Sequence, residues 1–304
     1  MAARITVPEL IALRESGAQF VLIDTHPPEY FEQSHLPGAC NACVYEMVFL
    51  DSVASIVNSP DTPIVVYGSS DRSQAGSVAC QKLEAAGYHN VSELEGGLEA
   101  WQAAGIGLEP DETVSEGRAS VIPDGTYRLN TTASRVEWTG RNLNNRHYGI
   151  ISLAEGTVEI ENGVIAGGSV DLDMNSIVNL DLRDEAYNRM LISHLKSDDF
   201  FHVERYPTAT FHLDSSQQIP EATPGSPCQT VVGSLELAGR TNRLSFVAEI
   251  AALDNRQVKV QAAFDIDRTS WGVIYGSGRF FEKLGMHLVS DTISIELFLV
   301  AEPV

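Results

Sequence analysis

The segment HLKSDDFFHVERYPTATF at residues 194–211 decides the fold of the C-terminal half of this chain. It opens with polar and charged residues, carries the pair Phe200-Phe201 and turns at Tyr206-Pro207. The run TATFHL that follows alternates apolar and polar side chains, which is typical of a strand with one buried face. A helix-like segment comes just before, so the segment predicts a short helix that leads into β-structure.

Alternating segments of this kind recur through the rest of the C-terminal half. Val170 and Leu172 share one strand face, and the runs 244–250, 258–266 and 293–299 alternate in the same way. Such strands bury their apolar faces by curling into an antiparallel barrel, which is either filled or holds one small elongated ligand. The sequence leaves that choice open. The small interior residues are Gly233, Ala248 and Ala262, and the large ones are Trp138, Phe246 and Phe264.

Residues 194–211 resemble the signature of the YceI-like family, in which an H-L-x-S-x-D-F-F-like run passes through Y-P-T-A-x-F into the next strand. The resemblance implies an all-β antiparallel, lipocalin-like barrel with one short helix. It also implies a hydrophobic tunnel that binds an isoprenoid or another long apolar chain, with no metal, no cofactor and no reaction. Further matching segments are SRVEW at 134–138, HYGIISLAEGTVEI at 147–160, GSLELAGRTNRLSF at 233–246, IDRTSWGV at 266–273 and LVSDTISIEL at 288–297.

The candidate ligand pocket combines apolar side chains with histidines that are expected to meet a ligand headgroup first. A rival interpretation gathers polar residues at the barrel mouth into a metal or headgroup site. Their spacing matches no known metal motif, which favours ordinary structural hydrogen bonds. The pocket candidates are Trp138, His147, Leu172, Met174, His194, Phe200, Phe211, Phe246 and Phe264, and the rival polar group is His147, Asp173, His194, Asp199 and His202.

The N-terminal part, residues 1–112, is predicted to be an α/β domain. The runs FVLID and PIVVY are nearly continuous apolar strands of the kind found in parallel sheets, and residues 75–86 have a helical pattern. Thr6 is placed to cap a first helix. Because such sheets bind ligands beyond the carboxyl ends of their strands, the loop after Tyr67 is the place for a site.

This part resembles the rhodanese-like family. Members that transfer sulfur carry a cysteine directly after the strand IVVY, where this chain has Gly68. The loop YGSSDRSQAG contains no cysteine, so the resemblance implies a pseudo-enzyme, and Cys80 is expected to be packed in the following helix. The matching segments are LID at 22–24, HLPGA at 35–39, IVVY at 64–67, GYHNV at 87–91 and LEGGLEAW at 94–101.

The loop after Tyr67 is a candidate anion site, because backbone N–H groups at a helix N-terminus favour negative charge. An ordinary solvated turn, with Arg72 paired to an acid, is the alternative. A second functional hypothesis places sulfurtransferase-type or phosphatase-type chemistry here, with the barrel delivering substrate, although the missing cysteine argues against it. The loop candidates are Gly68, Ser69, Ser70, Asp71, Arg72 and Ser73.

The cysteines form no disulfide framework. Cys40 and Cys43 make a C-x-x-C pair without the second pair that a zinc site needs, so buried small hydrophobic side chains are expected there. Cys80 and Cys228 are isolated in the sequence.

The net charge restricts the classes of binding partner that are expected. A net charge of −21 opposes binding to nucleic acid and anionic lipid. No apolar run is long enough to span a membrane, and the N-terminus lacks an export signal, which predicts a soluble, cytoplasmic, bacterial protein.

An acidic linker at 113–122 is expected to join the first domain to a barrel at 123–304. The expected partner of the barrel is an apolar long-chain small molecule. The first domain is expected to be a docking or anion-sensing module. The sequence also leaves open a homodimer through the barrel domain.

Overall fold

The computed structural model describes residues 3–110, 122–252 and 257–304, and the chain divides into two compact units, Met1–Glu116 and Gly117–Val304. Nearly all of the expected linker, residues 113–121, lies outside the described residues. The chain up to residue 110 belongs to the first unit, because Glu109 exchanges backbone hydrogen bonds with His35. No helix in the described part combines the length and apolar character of a bilayer-spanning segment.

The first unit is a five-stranded parallel sheet with helices on both faces. Its elements are β1 (Ala3–Ile5), α1 (Val7–Glu15), β2 (Val21–Asp24), α2 (Pro28–Gln33), β3 (Cys40–Asn41), α3 (Phe49–Ile56), β4 (Ile64–Tyr67), α4 (Ala75–Ala85), β5 (Val91–Leu94) and α5 (Gly97–Ala103). The strand order is β1-β5-β4-β2-β3, which puts β4 and its following loop in the middle of the sheet. Thr6 caps α1, as the sequence predicts, and the side chain of Glu9 accepts the N–H of Thr6 in return.

Alternate side chains of the central strands supply two separate cores. Ile23 and Val66 pack with α3 and α4, whereas Leu22 and Tyr67 pack with α1 and α5 on the other face. This arrangement explains the nearly continuous apolar runs of the sequence, since both faces of β2 and β4 are covered.

The expectation of two buried cysteines in the C-x-x-C pair is half wrong. Cys43 is buried, but Cys40 is exposed, because it lies on β3, a two-residue strand at the edge of the sheet. Cys80 is fully buried in α4, as expected, and burial, followed by the nearby carboxylates of Glu93 and Glu84, raises the pKa of its thiol to about 12.

In residues 122–252 and 257–304, the second unit is a nine-stranded antiparallel sheet with one α-helix. Two short 3-10 turns, Arg268–Trp271 and Gly285–His287, lie between its last two strands. Its elements are β6 (Gly125–Leu129), β7 (Arg135–Arg141), β8 (Arg146–Glu161), β9 (Val164–Asn179), α6 (Glu185–Lys196), β10 (Thr208–Gln218), β11 (Gln229–Leu237), β12 (Arg240–Ala252), β13 (Val258–Asp267) and β14 (Thr292–Pro303).

The sheet closes into the barrel that the sequence predicts. Each strand from β7 to β13 pairs with the strand that precedes or follows it in the chain. β9 and β10 also pair, although α6 lies between them in the sequence. The barrel closes because β14 pairs with both β13 and β7. The extra strand β6 pairs with the same two strands as β7, namely β8 and β14, but at a different place along them.

Local sequence features set the turn and the helix that shape the barrel. Asn162 and Gly163 have φ of 54° and 75°, the left-handed conformation that a two-residue hairpin turn requires between β8 and β9. Asp184 caps α6 by accepting hydrogen bonds from the N–H groups of Ala186 and Tyr187. The helix turns Leu195 into the barrel, where it joins a core cluster with Trp138 and Met174.

Candidate functional site

The barrel is hollow. Its interior holds a cavity of about 390 Å³, within the range of about 300–1,000 Å³ that is usual for small-molecule sites. Aliphatic and aromatic side chains make most of the wall. At one end the wall is mostly aliphatic and belongs to a core cluster that also includes Leu129, Ile160 and Ile250, so the barrel is filled beyond this point. The lining residues of that end include Val158, Ile165, Val231 and Leu299.

Three phenylalanines form one side of the cavity. The rings of Phe246 and Phe264 stack with centroids 4.2 Å apart, and Phe211 lies 5.6 Å from Phe246. Gly233 allows this arrangement, because a Cβ atom there would lie 2.6 Å from Cζ of Phe211. The space expected at Gly233 is therefore occupied by the Phe211 ring, and Ala248 belongs to the filled part of the barrel rather than to the cavity.

All of the pocket candidates named from the sequence lie in the wall of this cavity. The inward alternation of the strands places most of them, and α6 and the turn after it add His194 and Phe200. Trp138 is buried, and its indole N–H has no hydrogen-bond partner within the described part of the chain. That these side chains bind a ligand stays a prediction.

The other end of the cavity is polar, and we call it the polar end. Its parts are connected: Ser290 N donates to the carbonyl of Arg141, and Ser290 O accepts from Nε of Arg268. The ring of Tyr275 lies 4.6 Å from that of His194. None of the lining side chains that the structure describes is an aspartate or glutamate. The polar end consists of Arg141, Asn142, His147, His194, Arg268 and Tyr275.

Arg268 is almost completely buried, with 1% of its surface exposed. Its guanidinium donates to the carbonyls of Ser290, Val273 and Val289, at 2.9, 2.7 and 3.2 Å, which uses three of the five N–H groups. The nearest carboxylate oxygen is Oδ1 of Asp291 at 3.6 Å. Burial lowers the pKa of Arg268 from its ordinary value, although nearby aspartates oppose this effect, and a guanidinium stays charged at neutral pH.

The two histidines of the polar end each have a carboxylate partner. Nδ1 of His147 lies 2.9 Å from Oδ2 of Asp181, and Nε2 of His194 lies 3.5 Å from Oδ2 of Asp199. Burial acts to raise the pKa of Asp181, but hydrogen bonds from Tyr148, His147 and Asn179 outweigh it and hold this pKa below its usual value. An ionised Asp181 fixes the orientation of the His147 ring.

The rival polar group assembles only in part, as the pair of His194 and Asp199. His202 contacts the ring of Tyr206, and Asp173 accepts the N–H of Asn175, so neither joins the two histidines. Across residues 3–110, 122–252 and 257–304, no set of three or more histidine, cysteine or acidic side chains is arranged to hold a metal ion.

Sequence reasoning missed the arginines of the polar end. The alternation of β13 could have identified Arg268. Phe264 and Ile266 point into the barrel, and Arg268 is the next residue on the same face, where an apolar side chain is expected. Arg141 ends β7 in the outward phase, opposite Arg146, and its guanidinium donates to the hydroxyl of Ser294, so the alternation of β7 does not place it in the wall.

In the first unit, the loop candidates 68–73 form an ordered turn after β4. The carbonyls of Gly68 and Ser69 accept the N–H groups of Leu98 and Glu99 in the first turn of α5, and Ser73 N donates to the carbonyl of Ser70. The loop therefore has a fixed shape at the carboxyl end of the central strand.

Carboxylates surround this loop. Oδ1 of Asp71 accepts the N–H of Gly96 and lies 3.5 Å from Arg4, which also contacts Glu93. Arg72 is exposed and lies 4.0 Å from Glu99. Both cations near the loop thus already face acids, which makes it a poor host for a further anion.

Two family models match the chain. The model of the YceI-like domain matches residues 127–301, more than half of the chain, and the model of the rhodanese-like domain matches residues 6–104.

Individual relatives each match a part of the chain. A thiosulfate sulfurtransferase GlpE of Pseudomonas syringae is 34% identical over 118 residues, which cover 36% of this chain and 93% of the relative. A putative thiosulfate sulfurtransferase SseB of Mycobacterium tuberculosis is 30% identical over 162 residues, and the match spans 43% of this chain and only 56% of that protein. A solved polyisoprenoid binding domain from Saccharophagus degradans is 14% identical, with a TM-score of 0.44, over 60% of this chain and 100% of that domain.

Proposed function

Because this chain belongs to the YceI-like family through residues 127–301 and carries a rhodanese-like domain at residues 6–104, we propose that its barrel binds a lipophilic small molecule of the isoprenoid or fatty-chain type. The single observation that carries this proposal is the apolar cavity of about 390 Å³ inside the barrel. A buried methylene group contributes about 0.8 kcal/mol before the entropic cost of association, so about ten of them suffice for appreciable affinity.

The shape of the cavity supports an elongated ligand with two unlike ends. The aliphatic end near Val231 and Leu299 suits a hydrocarbon tail, and the polar end suits a headgroup. The lining side chains that the structure describes include no cysteine and no carboxylate, which favours binding and carriage over catalysis.

A pair of substitutions on β12 tests the proposal. Leu244 lines the cavity and is partly buried, whereas Val247 is exposed and outside the wall. We expect Leu244→Trp to weaken uptake of the neutral fluorescent probe N-phenyl-1-naphthylamine at least about tenfold, because the indole fills the cavity. Val247→Trp is the matched control and should leave uptake unchanged. Equal uptake by both variants would place binding elsewhere, and native mass spectrometry with organic extraction would identify a co-purifying ligand class.

For the rhodanese-like domain we propose a role without sulfur transfer. Gly68 occupies the position of the expected nucleophile, and the thiol of Cys80 is buried with a raised pKa. The carboxylates around the loop disfavour an anion, so of the two roles expected for this domain the docking of a partner is the better supported. The assay that decides is sulfur transfer from thiosulfate to cyanide, and activity of the wild-type protein above background would contradict this role.

A further inference from the structure

The exposed apolar side chains of the second unit are concentrated at one end of the barrel. Among the residues of this unit that the structure describes, every exposed large apolar or aromatic side chain lies at that end, except Val247 and Val304. The segments that carry them are residues 141–148, 178–190 and 272–290, which we call the rim. The rim residues with at least half of their surface exposed are Leu143, Leu180, Tyr187, Met190, Phe280 and Met286.

Contacts join the three segments of the rim into one surface. Leu180 N donates to the carbonyl of Tyr148, which connects the second segment to the first. Nδ2 of Asn144 lies 3.4 Å from Sδ of Met286, which connects the first segment to the third. The exposed apolar side chains therefore form a patch, and a patch of this kind on a protein surface marks an interaction site.

The rim lies beside the polar end of the cavity. His147 and Tyr275 belong to the rim and also line the cavity. Residues 178–190 lie between Ile177 and Leu191, which line it as well. Whatever covers the rim is therefore next to the cavity.

The rim is positive, although the chain as a whole has a net charge of −21. It holds six of the 20 Lys and Arg residues but only four of the 41 Asp and Glu residues. Arg146, Arg183 and Lys283 are exposed, and none of the ion pairs found among residues 3–110, 122–252 and 257–304 includes them. Arg146 instead lies over the ring of Tyr148, 5.5 Å from its centroid.

Three of the four acids of the rim are occupied within it. Asp181 lies 2.9 Å from Nδ1 of His147. Glu185 lies 3.2 Å from Arg189, and Asp184 caps the first turn of α6. An anionic surface that approaches the rim therefore meets cations with free N–H donors.

We propose that the rim docks the barrel onto the surface of a membrane that contains anionic lipids, with its apolar side chains in the interface and its cations on lipid phosphates. Exposed aromatic and aliphatic side chains beside Lys and Arg are typical of surfaces that bind at a membrane interface. A second copy of the chain fits less well, because a twofold contact would place one positive rim against another. The proposal concerns the outside of the barrel and goes beyond the binding of a ligand within it.

Flotation of the full-length protein with lipid vesicles tests this proposal. The vesicles contain phosphatidylcholine alone, or phosphatidylcholine and phosphatidylglycerol in equal parts. At neutral pH and low salt, we expect the anionic vesicles to bind the protein at least about tenfold more tightly, because each cation near an anionic surface adds to the affinity. High salt should reduce the difference, since it screens exposed charges. Equal binding to both kinds of vesicle, or binding to neither, would overturn the proposal.

Leu143→Glu and Val304→Glu are a matched pair of variants. Both residues are exposed and apolar, but Val304 bonds to Thr126 at the opposite end of the barrel. Leu143→Glu should weaken binding to the anionic vesicles at least about tenfold, because it removes an apolar contact and adds a negative charge. Val304→Glu should leave this binding unchanged. Equal binding by the two variants would mean that the rim does not contact the membrane.

A second pair tests the charge of the rim. Arg183 and Arg128 are both exposed, but Arg128 lies on β6, away from the rim. Arg183→Gln should weaken binding to the anionic vesicles about fivefold and leave binding to the neutral vesicles unchanged. Arg128→Gln should change neither. An equal loss in both variants would mean that only the total charge of the chain matters.

Two further measurements separate this proposal from its rivals. Uptake of N-phenyl-1-naphthylamine should survive Leu143→Glu, because Leu143 is not in the cavity wall, so its loss would show that the variant damages the barrel. Analytical ultracentrifugation of the protein without vesicles should show no association through the rim. A dimer that Leu143→Glu dissociates would show that a second copy covers the rim, and it would overturn the membrane contact.

Discussion

At the scale of single residues, Gly68 shows how little separates this rhodanese-like domain from one with a thiol in its loop. A Cβ atom at Gly68 would lie 3.2 Å from Cβ of Ala75 and 3.4 Å from N of Gly76, distances that small shifts relieve. Its φ is not among the left-handed ones, so a larger residue introduces no backbone strain. The added side chain would lie beside the N-terminus of α4, where the helix dipole favours a thiolate.

We therefore expect Gly68→Cys to fold and to gain a thiol with a pKa below the usual value of about 8.5. The measurement is the pH dependence of iodoacetamide alkylation, followed by mass spectrometry of the peptide that contains residue 68. Ser69→Cys, one residue further along at an exposed position, is the control and should titrate normally. A thiol at residue 68 with the same pKa as the control would show that the carboxylate of Asp71 cancels the effect of the helix.

At the scale of elements, α6 covers part of the cavity and depends on its N-cap. Leu191, His194 and Leu195 of this helix line the cavity, and Asp184 caps its first turn with two hydrogen bonds. Loss of the cap leaves N–H groups of the first turn without a partner, so the helix frays more easily.

We expect Asp184→Ala to lower the free energy of unfolding by about 1 kcal/mol and to speed the release of a bound probe. Urea denaturation and stopped-flow dissociation of N-phenyl-1-naphthylamine measure the two effects. Asp198→Ala removes the same charge from an exposed position after the helix and serves as the control. Unchanged dissociation in a destabilised Asp184→Ala protein would mean that α6 does not limit ligand exchange.

The elements themselves could be predicted because their patterns are local. A few neighbouring residues are enough to indicate each structure. This holds for the alternation of β12 and β13, the Asn162-Gly163 turn and the apolar runs of β2 and β4. Most of the candidate pocket followed from the same alternation, but His194 and Phe200 lie on α6 and the turn after it. The polar end could not be derived in this way, because it depends on the connection before β14: Ser290 N donates to the carbonyl of Arg141, and Ser290 O accepts from Nε of Arg268.

At the scale of the whole molecule, each unit contains complete cores of its own. Leu83 is fully buried in the first unit, and Val231 is buried in the second. A domain with its own core is able to unfold as a separate cooperative unit.

We expect calorimetry of the full chain to show two transitions. Leu83→Ala should lower only the transition of the first unit, and Val231→Ala only that of the second, with Leu83→Ala costing about 2–5 kcal/mol. An added ligand should raise only the second transition, because binding stabilises the unit that binds. A single transition that responds to both substitutions would mean that the units unfold together.

The closure of the barrel by β14 has a consequence for the order in which the second unit can fold. β14 is the last strand of this unit in the chain, yet it pairs with β13 on one side and with β6 and β7 on the other. The pairing of Ala301 with Leu129 therefore joins the two ends of the unit. Contacts between residues so far apart in the sequence slow folding, because the entropy of closing a long loop is lost before the contact stabilises the chain. We therefore expect the barrel wall to close late in folding.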